Sequence, residues 1–429
     1  MIWVYTAFIL AMIGIHVWRR RRKERAHHEV LKQTLAAGLN EPPSLHPVID
    51  ASRCVGSGGC IKVCPEEALG MVDGKAMLIN GSACIGHGAC EVACPLKAIT
   101  LVFGTEKRGI DIPVVQPNFE TNVPGIFIAG ELGGMGLIRK AAEQGKQAMG
   151  AIVARGRATS QEVDVVIVGA GPAGLAAGLA AIDQKMRYRI FEQESSLGGA
   201  IFHYPRQKIA MTAPMKLPLV GHVKMSEISK EALLEFWHGV VLKWQLTIGY
   251  GERMERITAV GDGFVVHTNK SEISARSVLL AIGRRGTPRT LEVPGEELSK
   301  VTYRLVDPAQ YVGQHVLVVG GGDSALEAAI ALAGEQGTTV TLSYRGNAFG
   351  RVKGKNRDAL AAAESAGKLT VRLESQVQQI AERTVTLKLA DATVQEMPND
   401  TVIVCAGGVL PTPLLKAMGI AFETKHGTA

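Results

Sequence analysis

The sequence predicts an α/β protein in four parts: an N-terminal transmembrane helix, a small α+β domain rich in cysteine, and two doubly wound nucleotide-binding domains. Three observations carry this reading. Residues 2–18 contain no formally charged side chain, and six of the seven cysteines fall in a duplicated pattern within residues 54–94. The remainder alternates short β-branched runs with Ala/Leu/Gly-rich stretches, as parallel sheets crossed by helices do.

The N-terminal element comes first. Seventeen residues (2–18) at a helical rise of about 1.5 Å cover roughly 25 Å, near the lower limit for crossing a bilayer. Trp3 and Trp18 stand where interfacial aromatics would, and Arg19, Arg20, Arg21 and Arg22 would keep the next segment in the cytoplasm. A signal peptide has its charges before the apolar stretch, and here they come after it. A peripheral or buried helix is the competing reading. Residues 1–18 are therefore expected to form a single-pass anchor in the inner (cytoplasmic) membrane, with membrane lipid as partner. Residues 19–47 form a basic juxtamembrane stalk, its charged helix stopped by Gly38, Pro42, Pro43 and Pro47. Residues 19–25 hold six cations against Glu24, so most of the formal net charge of +7 sits there. The near-neutral remainder argues against nucleic acid as a partner. Cytoplasmic cysteines read as metal ligands rather than disulfides.

Residues 48–104 form the Cys-rich domain. Cys54, Cys60, Cys64 and Pro65 recur thirty residues later as Cys84, Cys90, Cys94 and Pro95, with Gly56/Gly86, Gly58/Gly88 and Ala68/Ala98 at the same offset. The run resembles bacterial two-cluster ferredoxins, C-x2-C-x2-C-x3-C-P, in which the last Cys of each run serves the other cluster. The resemblance implies that Cys54 and Cys60 join Cys94, while Cys84 and Cys90 join Cys64. Thiolates suit soft iron, and the glycines let the backbone wrap closely and offer N–H groups to sulfur. The second ligand position departs from the pattern: it is Ser57 in one run and His87 in the other. Two [4Fe-4S] clusters with Ser or His as fourth ligand, [3Fe-4S] clusters, and a metal-free remnant are the alternatives. His87 is the stronger candidate ligand, because a hydroxyl coordinates poorly unless ionised.

The first nucleotide motif is Gly169-Ala170-Gly171-Pro172-Ala173-Gly174. It follows an apolar β run, opens an Ala/Leu helix, and has an acid, Glu192, eighteen residues after its third glycine. In that context the glycines admit a pyrophosphate to the helix N-terminus, and Glu192 holds ribose hydroxyls. The second motif runs Gly320-Gly321-Gly322-Asp323-Ser324-Ala325. Its following strand ends at Ser343-Tyr344-Arg345, without an acid at the tip and with Arg351 and Lys353 close behind. Cations in place of a carboxylate favour a 2′-phosphate, hence NADPH (or NADH as alternative).

Two such sites, the acid-tipped one first, resemble the thioredoxin reductase family of two-domain flavoproteins, with Rossmann-like FAD and NAD(P) domains. Gly198-Gly199 and the strand ending at Gly283 match the family pattern, and residues 400–404 match its return to the FAD domain. The family's C-terminal Gly-Ile-Phe-Ala-Ala-Gly-Asp segment appears instead at residues 125–131, ending in Gly130 and Glu131, ahead of the first motif. This reads as a circular permutation, which needs only that the old termini lie near each other at the surface. The domains expected are thus 105–292 for FAD (permuted segment 105–160 first), 293–399 for NAD(P)H, and 400–429 back in the FAD domain. The family's redox C-x-x-C is missing from residues 301–313, and Cys405 reads as a structural thiol. The resemblance therefore narrows to the ferredoxin–NADP reductase type, with the ferredoxin built in. It implies FAD, NADPH and two iron–sulfur clusters, an electron-transfer protein or small-molecule acceptor, and no general acid or base. A homodimer is expected. The alternatives are a flavin-dependent disulfide or small-molecule reductase with structural clusters, and a membrane-bound redox sensor. Residues 203–208, after the flavin glycines, either line the isoalloxazine or form an exposed basic loop.

Overall fold

The structure is a computed structural model; it describes residues 2–36, 40–42, 45–84, 86, 88–106, 109–134, 136–204, 206, 208–284, 286–350, 352 and 354–427. The chain divides into two compact units. One holds residues 1–110 with 348–359 and 425–429, the other residues 111–347 with 360–424.

The first unit opens with one unbroken helix, α1 (Ile2–Ala36). It does not change element at residue 18, where the sequence pattern suggested a boundary. Trp3 and Leu10 are 86% and 68% exposed, so the apolar half is not a buried core helix. Among the described residues, no helix is long and apolar enough to cross a membrane. The expected bilayer span at 1–18 is therefore unsupported: Tyr5, Thr6 and His16 dilute a stretch already near the minimum length, and Arg19 ends it. The predicted stalk is not free either. Glu24, His27 and Thr34 bond to the domain behind it.

That domain is built from β1 (His46–Ile49), α2 (Gly59–Lys62), β2 (Leu69–Val72), β3 (Lys75–Leu78), α3 (Ala89–Val92) and β4 (Ile99–Val102). β1 pairs antiparallel with β4, and β2 with β3, so the two halves of the duplication fold in the same way. Each half places a one-turn helix just after a left-handed glycine, Gly58 at φ +71° and Gly88 at φ +76°. A side chain at either position would be strained, which is why both copies carry glycine there.

The second unit contains two parallel-centred sheets. The first includes β5 (Ile126–Ile128), β6 (Val163–Val168), β7 (Tyr188–Glu192) and β8 (Glu272–Leu280), with α4 (Ile138–Arg155) and α5 (Pro172–Asp183) packed on it. β8 pairs in parallel with both β6 and β5. The helices approach closely because Gly145 meets bare backbone: a Cβ there would stand 2.8 Å from the Ala173 carbonyl carbon. The other face buries Ile126, Ile128, Val166 and Val278 with Leu415 and Ile420 from the end of the chain. The second sheet includes β9 (His315–Val319), followed by α6 (Asp323–Leu332), then β10 (Thr339–Ser343) and β11 (Thr401–Val404). β11 pairs in parallel with β9, so residues 401–404 belong to this sheet rather than to the FAD domain. They are buried throughout and mostly β-branched, as a strand covered on both faces must be. The chain rejoins the first sheet's core only after them, at Leu415.

Candidate functional site

The fold gathers the cysteines into two groups of three. Burial first, and then the neighbouring Cys54 and Cys94 thiols, push the Cys60 thiol up. Burial also raises Cys90, to about 11, with Cys84 and Cys64 as its thiol neighbours, and raises Cys84 beside Cys64. Cys54, Cys60 and Cys94 line one cavity, and Ser57 stands at its edge. Backbone N–H groups point at sulfur, from Ala76 to Cys54 Sγ (3.5 Å) and from Ala98 to Cys94 Sγ (3.2 Å). Thiols flanked by amide donors in an apolar shell suit an iron–sulfur cluster, each group supplying three of the four ligands that a [4Fe-4S] cluster takes. Among the described residues, no three His, Cys, Asp or Glu side chains form the site of a single metal ion. His87 lies outside the described residues, as do Arg351 and Lys353.

At the first nucleotide motif, β6 is followed by Gly169 at φ +108°, where a Cβ would stand 2.5 Å from the Ala281 carbonyl oxygen. Gly174 packs α5 onto that turn, since a Cβ there would overlap the Gly169 oxygen. Gly171 is different. A Cβ on it would find nothing nearer than the Gly199 Cα at 3.7 Å, so its hydrogen faces a space that a ligand can enter. Gly198 donates its N–H to the Ala170 carbonyl (2.9 Å) and ties the two glycine loops together. Glu192 is buried, its Oε2 accepting from Ala170 N–H (2.7 Å) and its Oε1 from Glu194 N–H (3.0 Å). Burial pushes its carboxyl up. Gly130, Gly169 and Gly283 follow the carboxyl ends of β5, β6 and β8, and the Glu131 carboxylate lies 4.0 Å from where a Gly283 Cβ would be. Such sheet ends are where α/β folds bind nucleotides.

At the second motif, Gly320 lies against Cys405, whose carbonyl carbon would be 2.8 Å from a Cβ, while Ala325 is fully buried beneath the turn. Gly322 opens α6 with nothing within 4 Å of its Cβ position. The Tyr344 ring covers Gly321. Arg345 lies just beyond β10.

The second unit also holds a charged cluster that the sequence motifs do not announce. His203 Nε2 meets Glu194 Oε1 (3.2 Å), its Nδ1 contacts Arg304, and Arg304 lies 3.9 Å from Glu194 Oε2. Arg206 pairs with Asp307 (3.1 Å) and Lys208 with Glu327 (3.0 Å), so the loop's cations are matched by acids. The signal in the sequence was Arg304 and Asp307, in the same stretch that lacks the C-x-x-C pair.

The fold and sites together define a protein with two dinucleotide-binding motifs and a ferredoxin-like domain. Residues 166–428 match the pyridine nucleotide-disulphide oxidoreductase family, and residues 46–95 match the 4Fe-4S dicluster domain. The first match covers more than half of the chain, which belongs to that family. A ferredoxin–NADP reductase of Levilactobacillus brevis is 31% identical over 191 residues, 43% of this chain and 54% of that protein. One from Streptococcus pyogenes serotype M1 is 32% identical over 253 residues, 57% of this chain and 73% of that protein. Against the first relative, then, the chain spans little more than half of the length. Among solved structures, the bacillithiol disulfide reductase of Staphylococcus aureus aligns with a TM-score of 0.53 at 27% identity, covering 61% of this chain and 81% of that one.

Proposed function

We propose that the chain is an NADPH-dependent reductase of the ferredoxin–NADP reductase type, moving electrons between NADPH, FAD and two iron–sulfur clusters, to or from an electron-transfer protein or small-molecule acceptor. The observation that carries this is the union, in one chain, of two three-cysteine groups with two dinucleotide loops. Bound FAD supplies the exchange between hydride and single electrons, and the clusters supply one-electron relay. The residues hold and orient. Gly171 leaves backbone open to the FAD pyrophosphate, Gly198 and Gly199 shape the facing loop, Glu192 takes the ribose, and Glu131 takes the ribityl chain. Gly322 admits the NADPH pyrophosphate above buried Ala325, with Gly320 making the turn, and Arg345 meets the 2′-phosphate. Cys54, Cys60 and Cys94 hold one cluster; Cys64, Cys84 and Cys90 hold the other. The parallel pairing of β5 with β8 supports reading residues 105–160 as the permuted last segment of the FAD domain.

The test is anaerobic reduction by NADPH, followed at the flavin and with a one-electron dye. Cys60→Ser with Cys90→Ser should abolish dye reduction while flavin reduction persists. Dye reduction at the original rate would refute the relay. It would favour a second reading, a flavin-only disulfide or small-molecule reductase, which the likeness to the bacillithiol enzyme supports.

We also propose that residues 1–18 hold the chain at the cytoplasmic membrane, with the nucleotide domains in the cytoplasm. The exposed apolar half of α1 and the Arg19–Arg22 cations, suited to anionic headgroups, support this. Full-length protein recovered in the soluble fraction would refute it.

A further inference from the structure

Residues 24–34 of α1 grip the β2–β3 hairpin. Glu24 Oε1 accepts the Gly74 N–H at 2.8 Å, His27 Nδ1 accepts the Met71 N–H at 2.9 Å, and Thr34 Oγ1 donates to the Ile79 carbonyl at 2.6 Å. Positions 24, 27 and 34 fall on one helix face, so the three bonds form together. Gly70 lets the helix approach, since a Cβ there would stand 2.9 Å from His27 Cγ and 2.6 Å from Ile79 Cδ1.

The same hairpin backs the Cys54 site. Lys75 Nζ donates to the Cys54 carbonyl at 2.5 Å, and Ala76 N–H points at Cys54 Sγ at 3.5 Å. A Cβ on Gly56 would come within 3.3 Å of the Gly74 carbonyl carbon and 3.7 Å of Met71 Sδ. Helix and cysteine site thus hold two sides of one hairpin. Arg22 closes the run of four arginines, and Glu24 comes two residues later, a rise of about 3 Å along the axis. Beside the cavity Val55 is 67% and Leu96 45% exposed, an apolar rim that suits an apolar carrier.

We infer that α1 is a bracket fixing the Cys54/Cys60/Cys94 site beside an anionic lipid surface, which makes that site, rather than Cys64/Cys84/Cys90, the port for a lipid-soluble quinone. This rests on the membrane reading above. Cys54, Cys60 and Cys94 would hold the cluster that passes electrons singly to the quinone, so that in the forward direction NADPH, quinone and one proton from water would become NADP+ and quinol.

The experiment uses the full chain with both clusters, on vesicles of phosphatidylcholine and phosphatidylglycerol containing headgroup-spin-labelled lipid and ubiquinone. The two cluster signals are assigned by the loss of one in Cys60→Ser. Spin-labelled headgroups should speed the relaxation of the Cys60 signal and leave the other unchanged. Releasing the grip with Glu24→Ala, His27→Ala and Thr34→Val together should remove that difference. Quinone reduction should fall to the level of a chain lacking residues 2–18, while reduction of a water-soluble dye holds. Equal relaxation of both signals in the unaltered chain, or a triple variant that matches it, overturns the bracket. A chain that fails to sediment with vesicles overturns the membrane reading beneath it. The relaxation measurement on unaltered protein stands even if the triple variant does not fold.

Discussion

Gly171 and Gly174 sit three residues apart in one motif, yet substitution should separate flavin binding from folding. A Cβ at 171 meets only the Gly199 Cα at 3.7 Å, an ordinary contact, and the backbone there (φ −79°, ψ −178°) suits any residue. Gly171→Ala should therefore shift stability by less than about 1 kcal/mol, since the poorer cap that Ala makes is offset by the smaller entropy of the unfolded chain. A Cβ at 174 would overlap the Gly169 carbonyl oxygen and stand 3.0 Å from its carbon. Relieving that requires α5 to move off the sheet, an overpacking cost of about 1–3 kcal/mol or more. Thermal unfolding of flavin-free protein should thus show Gly171→Ala close to the parent and Gly174→Ala several degrees lower. Fluorescence titration with FAD should show the reverse emphasis. Gly171→Val, whose branched carbons fill the space between the loops, should lose flavin binding while it remains folded. Full flavin occupancy in Gly171→Val would refute the placement of the pyrophosphate, and equal melting of the two alanine variants would refute the packing argument.

Three further outcomes are expected. NADPH should be preferred over NADH, and Arg345→Ala should narrow the preference roughly tenfold, the low end for a charge-assisted bond because the site is open to solvent; equal efficiency of both cofactors in the parent would contradict this. Asp164 is buried, and although burial raises its carboxyl, N–H bonds from Arg187 and Ala158 and the Arg187 guanidinium hold it below the usual value. A lowered carboxyl contributes stability above its unfolded pKa that is lost as pH falls through the folded one. Asp164→Asn should therefore cost about 1.5–3 kcal/mol at neutral pH and flatten the acid limb below about pH 4, read by urea unfolding across pH. Deleting residues 2–18 should leave dye reduction intact because neither the cysteine groups nor the nucleotide loops lie there, whereas deleting residues 2–36 should lower the melting temperature of the Cys-rich domain by removing the bonds from Glu24, His27 and Thr34; identical melting of both truncations would argue against the grip.

How much was legible depended on whether the signal was local. Gly169, Gly171, Gly174 and Glu192 are spaced by the geometry of one strand–turn–helix–strand unit, so sequence alone located them. The cysteine runs gave their own positions in the same way, and the ferredoxin resemblance, rather than spacing, supplied the crossing of Cys64 and Cys94. Non-local packing was not legible. Nothing in the residues around Glu24 announces that a carboxylate will cap the Gly74 amide fifty positions away. The strand at 401–404 reads the same whether it enters one parallel sheet or the other, since both bury it, and only its pairing with β9 decided. The acids opposite Arg206 and Lys208 lie over one hundred residues along the chain.

The pairing of β5 with β8 also sets an order of assembly during synthesis. Residue 128 leaves the ribosome 152 residues before residue 280, its partner. At roughly 5–20 residues per second that strand waits about 8–30 s for its neighbour. The β1–β4 pairing closes within residues 46–102, so both three-thiol groups are complete while the flavin sheet still lacks its centre. Iron delivery therefore has a window of its own, and a nascent chain arrested near residue 200 should already resist protease across the Cys-rich domain while β5, clear of the exit tunnel and still without β8, remains open to it.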